Sequence, residues 1–161
     1  PPRSTLFPYT TLFRSYYFNS LLAARNDHDG FRALGYPRAL NRGRWREDEA
    51  QRVLADEGSA ASRACRGITS LLGVRSRHGA FHPDGTQRIL DVGEGVFCVE
   101  RVAPDGVDRM ICAHNMRPEP VVISVDAGRM DLLGQARLGP GGRAELPPYG
   151  VAWLWSGEDR D

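Results

Sequence analysis

Residues 16–27 read YYFNSLLAARND, an apolar run that closes on Arg-Asn-Asp. A run of this kind, bounded by polar residues, predicts a strand buried on both faces, as in a parallel sheet. Residues 28–46, HDGFRALGYPRALNRGRWR, hold several Gly, a Pro and scattered Arg, and predict a long loop. Loops of that length without structure of their own are mostly functional. Acidic residues then lead a short helix over Glu47 to Asp56, where the helix dipole favours them. SAASRACRGITSLLGVRSRH, residues 59–78, predicts the longest helix. Ser59 can cap it, Ala61, Ala64, Cys65, Ile68, Leu71 and Leu72 share one face, and Gly79 marks its stop. Strand, loop and packing helix make one repeat of a (β/α) barrel, and one repeat cannot close a barrel or cover its own faces.

Beyond residue 80 the period changes. TQRILDV (86–92), GVFCVERV (95–102), DRMICAHN (108–115), PVVISV (120–125), RAELPP (143–148) and GVAWLW (150–155) are short runs rich in Val, Ile and aromatics. Gly, Pro and Asp punctuate them at the spacing of an antiparallel sandwich. The expected fold is therefore an α+β fragment. Residues 16–80 carry the last strand, loop and helix of a (β/α)8 barrel; residues 81–156 form an antiparallel all-β sandwich domain; residues 157–161 are a tail.

On the N-terminal side stands TLFPYTTLFRS, residues 5–15. Pro8 and the Thr residues break its apolar run, so it suits neither a secretory signal nor a membrane span. The peptide resembles a translated short-read sequencing adapter, and residues 1–15 are read as a foreign leader outside the fold.

The 161 residues are 41% hydrophobic, enough for a core. All 21 basic residues are Arg, interspersed with 20 acidic ones, and no basic cluster marks a nucleic-acid footprint. No stretch is apolar enough to cross a membrane. Cys65, Cys98 and Cys112 sit at no metal-ligand spacing, and an odd count without a secretion signal fits reduced thiols in a cytoplasm. Cys98 and Cys112 fall on neighbouring strands, where they could approach each other or serve as small buried apolar groups.

YYFNSLLAARND, the RALNR at 38–42, and the helix running out through LLGVRSRHGAFHPDG together resemble the C-terminal stretch of sucrose phosphorylase-like enzymes. That branch of the α-amylase superfamily includes sucrose and glucosylglycerate phosphorylases. The resemblance spans nearly all of residues 16–155 and is most specific in SLLAARND and LNR. It implies a parent glycosyltransferase acting with retention, one carboxylate attacking the sugar and a second working as acid and base. It also implies that these groups, on barrel strands four, five and seven, precede Tyr16, so that this chain alone carries no catalytic residue. Phosphate and a small sugar are the implied partners, with no cofactor. Arg42 matches the family's arginine at the glucosyl hydroxyls, a role suited to a planar fork of donors. Asn26 and Asp27 match the family's Asn-Asp after strand eight, which implies that they brace the loop, while plain turn structure is the favoured account of them. Arg25, His28 and Asp29 lie where acceptor choice could be set.

Other constellations are weaker. His78 and His82 are four apart, but Gly79 and Pro83 oppose a helix through both, and nothing completes a metal set. His114 suits a strand end. GEG (93–95) and GPGG (139–142) lie in no βαβ unit and read as turns. The patch Arg44-Trp45-Arg46 is exposed or self-stacked. Trp153 and Trp155 alternate onto one face of the last strand, where they pack on a core or offer a sugar-stacking platform. The platform keeps open a second reading, a carbohydrate-binding sandwich module. Hydrolase and transglucosidase relatives remain open within the enzyme class.

Overall fold

From Thr86 onward the alternation of apolar and polar residues becomes strand pairing in the computed structural model, which describes residues 16–156. The strands are β1 (Thr86–Leu90), β2 (Val96–Val102), β3 (Arg109–Asn115), β4 (Val121–Ser124), β5 (Met130–Asp131), β6 (Arg137–Gly139), β7 (Arg143–Leu146) and β8 (Val151–Ser156). They form a five-stranded sheet in the order β1-β2-β3-β8-β5 and a three-stranded sheet in the order β4-β7-β6. The recorded pairings are antiparallel. All six predicted runs are strands; the short β5 and β6 were not foreseen, being too brief to show a period.

Register decides which residues go inside. Cys98 lies opposite Ala113, Ala113 opposite Ala152, and Ile111 opposite Leu154, so these side chains share one face. They meet Ile123, Ala144 and Leu146 of the smaller sheet in one buried cluster. Each large apolar side chain buried here contributes about 1.5–3 kcal/mol. At one end Asn115 is buried yet satisfied: its Nδ2 donates to Glu119 O and Pro147 O, both at 2.8 Å, and its Oδ1 accepts from Arg117 N. A buried amide left unpaired would cost far more than these bonds return.

The outer face of the five-stranded sheet has a second cluster. Met110, Cys112 and Trp155 are covered by Ala80 and Phe81, from a 3-10 turn over Gly79–Phe81. Asp108 holds that turn down. One of its carboxylate oxygens accepts Trp155 Nε1–H at 2.7 Å, and the other accepts Ala80 N–H at 3.1 Å with His78 Nδ1 at 3.6 Å. Arg101 adds donors to Ala80 O and His82 O. Cys98 and Cys112 therefore occupy opposite faces of one sheet, where both are small buried groups, and the approach left open between them does not occur.

The chain divides into two compact units, one up to Leu72 and one from Gly73. The first contains α1 (Phe18–Leu21), α2 (His28–Leu34), a 3-10 turn over Pro37–Asn41, α3 (Glu47–Ala55) and most of α4 (Ala60–Arg77). Here three expectations need correction. Residues 16–27 are not a strand: Ser20 and Leu21 N–H both bond Tyr17 O, closing a helical turn. Among the described residues no strand lies beside this segment, and a lone strand leaves its ladder groups unpaired. Residues 28–46 are not structureless either. Asp27 caps α2 by accepting Gly30 N–H, and Gly35, at φ 70°, ends it with its N–H on Phe31 O. Only a residue free to be left-handed closes a helix that way.

The third correction concerns α4. Ser59 caps it as expected, its Oγ accepting Ser62 N–H at 2.9 Å. Of the foreseen stripe, however, only Ala61 is buried, while Leu71 and Leu72 are exposed. The small core of this unit is Leu22, Ala50 and Ala61, with Trp45 and Val53 against it. The leader at residues 1–15 and the tail at 157–161 lie outside the described residues.

Candidate functional site

The segment carrying Arg42 is held from two sides. Asp27 N–H donates to Leu40 O at 2.6 Å, which brings the Asn-Asp pair to the Leu-Asn-Arg run. From α1 and its cap, Asn19 Nδ2 donates to Asn41 O and Gly43 O at 3.1 and 3.0 Å, while Tyr17 OH donates to Asn41 O at 2.7 Å. Asn19 Oδ1 in turn accepts Trp45 Nε1–H at 3.0 Å. A loop stitched at 40, 41, 43 and 45 can present an arginine without sagging away from it.

Each expected site residue has a definite place. Arg42 is exposed; its own N–H closes the preceding turn on Ala39 O, and its guanidinium has no hydrogen-bond partner among the described residues. Asp27 is half-buried, and its carboxylate is spent on the α2 cap, which makes it a brace. Asn26 is exposed and accepts His28 N–H through its main chain. Asp29 forms an ion pair with Arg32, whose hydrogen bond and charge pull the carboxyl below its ordinary value. Trp45 is not a surface stack but a part-buried member of the small core. Asn19 and Tyr17 escaped the sequence reading, because in a presumed buried strand a polar tip has no assigned partner.

Beside this loop is an apolar hollow of about 390 Å³. Leu22, Trp45 and Val53 line it, together with Arg25, Arg44 and Glu49.

In the sandwich, Trp153 and Trp155 do not form a platform. Trp155 is 8% exposed, and Trp153 lies against Phe81 at 4.8 Å between ring centroids. Both are core, which removes the observation that favoured a carbohydrate-binding module. His82 pairs only with Asp84, and among the described residues no group of three His, Cys, Asp or Glu could hold a metal. Among them, too, no helix is long and apolar enough to cross a membrane. Burial pushes the Cys112 thiol up to about 12 and raises that of Cys98, so neither suits nucleophilic work. Gly93 and Gly95 lie in a bend and turn, while Gly139 ends β6 and Gly141 and Gly142 lie in a 3-10 turn.

The comparisons bear on the whole chain. Over 138 residues it is 36% identical to glucosylglycerate phosphorylase of Allomeiothermus silvanus, a match to 86% of this chain and 23% of that protein. The glucosylglycerate phosphorylase of Escherichia coli K12 is 34% identical over 90 residues, 56% of this chain and 16% of that one. Over most of its length the chain is similar to glucosylglycerate phosphorylases. It spans about a quarter of the length of the first of these relatives. Residues 101–154 match the C-terminal immunoglobulin-like domain of D-apionate lactonase, in keeping with the antiparallel sandwich. A solved alpha-glucosyl transfer enzyme, XgtA, aligns with TM-score 0.50 and 20% identity over 63% of this chain and 18% of that one. That likeness speaks to the fold alone, which is of the expected α+β class, a few helices followed by an antiparallel immunoglobulin-like β-sandwich.

Proposed function

We propose that this chain is the C-terminal part of a retaining glycoside phosphorylase that moves a glucosyl unit from glucosylglycerate, or from sucrose, to inorganic phosphate. The observation that carries the reading is the 36% identity maintained over 86% of the chain with a glucosylglycerate phosphorylase. Residues 16–80 then end the barrel, and residues 81–156 are its sandwich domain. Arg42 holds glucosyl hydroxyls in the donor subsite; Asn26 and Asp27 fix the loop that carries it. The nucleophilic and acid/base carboxylates belong to earlier strands. The first forms the glycosyl-enzyme, and the second protonates the leaving glycerate. Phosphate then attacks the same face, leaving glucose 1-phosphate with its configuration retained.

Exposed apolar surface supports a longer working protein. Tyr16, Tyr17, Phe18, Leu34 and Tyr36 are all more than 40% exposed, crowded into 21 residues of one unit. Soluble proteins seldom leave so much apolar side chain in water.

The test joins this chain to the preceding three-quarters of the Allomeiothermus silvanus relative and follows glucose 1-phosphate from glucosylglycerate and phosphate. The joined enzyme releases it; the 161-residue chain alone does not. Release by the chain alone would overturn the assignment of the carboxylates to the remainder. Release of free glucose in place of the phosphate ester would make the protein a hydrolase. In the joined enzyme Arg42→Ala lowers kcat/KM by about 10–100-fold, the loss expected when a charged hydrogen-bond donor is removed.

A further inference from the structure

We infer that the hollow lined by Arg25 and Arg44 is a binding site for a compact oxyanion, a carboxylate or a phosphate. Five of the nine described arginines of this unit are engaged, and Arg38 and Arg42, outside the hollow, are not. Arg32 is paired with Asp29, Arg46 and Arg52 with Asp48, and Arg66 with Glu57, while Arg63 donates to Gly58 O. Arg25 and Arg44 differ: among the described residues neither has an ion pair or a side-chain hydrogen bond, and both line the same hollow.

Two guanidinium groups sharing one hollow repel, and a sequence with 20 acidic residues has carboxylates to spare for them. Only Glu49 joins them in the lining, so the hollow keeps a net positive charge. Leu22, Trp45 and Val53 give it apolar walls, against which a charge-assisted hydrogen bond is stronger than in open water. The segment is also fixed: Asn19 bonds Gly43 O and Trp45 Nε1, the residues on either side of Arg44. A guanidinium beside walls of this kind, with its planar fork of donors, matches two oxygens of one anion better than a sugar hydroxyl.

Choosing glycerate and phosphate as ligands rests on the phosphorylase reading, since one substrate carries a carboxylate and the other is a phosphate. The cationic hollow itself does not depend on that reading. The experiment titrates the 161-residue chain, at constant ionic strength, with inorganic phosphate, with D-glycerate and with uncharged glycerol. Backbone amide signals of residues 22–25 and 43–45 are followed by NMR. Both anions shift these signals saturably and glycerol does not; whichever anion binds tighter identifies the source. The double variant Arg25→Gln/Arg44→Gln weakens binding at least about tenfold, an energy of about 1.4 kcal/mol. Arg38→Gln, outside the hollow, leaves binding unchanged, and Glu49→Gln tightens it.

Absence of saturable shifts with both anions overturns the inference, and so does binding that the double variant retains. Should that variant unfold, the Glu49→Gln result decides on its own, because adding no bulk and removing one negative charge strengthens only an anion site. Phosphorolysis by the joined enzyme without anion binding here would remove the hollow and leave the phosphorylase reading intact. Anion binding without phosphorolysis would do the reverse.

Discussion

Asn19 donates twice and accepts once across more than twenty residues of chain, and every bond ends on the 41–45 segment. Asn19→Ala is expected to cost about 1–3 kcal/mol, because Gly43 O and the Trp45 indole N–H lose their partner at once while Asn41 O keeps only Tyr17 OH. Urea unfolding measures the loss, and faster amide exchange confined to residues 41–45 distinguishes it from general destabilisation. Cys112 makes a different kind of prediction. Its thiol is held up to about 12 by burial, against an ordinary 9.0. The folded state thus keeps a proton that the unfolded chain releases at lower pH. The stability tied to this thiol is whole below pH 9 and is lost as pH rises towards 12. Cys112→Ala flattens that alkaline decline in a pH series of unfolding free energies. At pH 8, alkylation of the native chain reaches half-buried Cys65 well before Cys98 or Cys112.

Caps and turns carry the elements, and their residues were largely legible in advance. Ser59 was read as the cap of α4 from its type and position alone, and it both accepts Ser62 N–H and donates to Val53 O. Ser59→Ala should cost about 0.5–2 kcal/mol, read as a lower midpoint in thermal unfolding followed by helical signal. Gly142 shows the limit of such reading. GPGG was recognisable as a turn, but the chain could not reveal that a Cβ at Gly142 would run into Val125 O, at φ 79° besides. Gly142→Ala therefore destabilises the sandwich by more than the ~1 kcal/mol of an ordinary left-handed glycine. The failed strand at 16–27 teaches the converse. An apolar run states that burial is wanted, while helix or strand depends on which partners lie beside it. Here the described partners are Leu40–Trp45 and not other strands, so the run turns on itself.

For the whole molecule, the sandwich holds both large clusters within residues 73–156, and that piece alone should unfold in one cooperative transition. Among the described residues the core cluster of the preceding unit holds only Leu22, Ala50 and Ala61, and that unit should melt earlier, with shallow cooperativity in differential scanning calorimetry. By itself the sequence determined most of the β half: the period of the six longer runs and the turn chemistry between them arise between near neighbours, where two-residue alternation leaves a plain trace. It also carried the segments on which the expected family likeness was read, with Arg42 and the Asn-Asp pair in them. Only the tertiary structure decided what those residues touch. Asp27 became a helix cap, Trp155 a core residue hydrogen-bonded to Asp108, and Arg25 and Arg44 the lining of one hollow. Contacts across twenty or more residues depend on how elements dock, and local pattern holds no record of that.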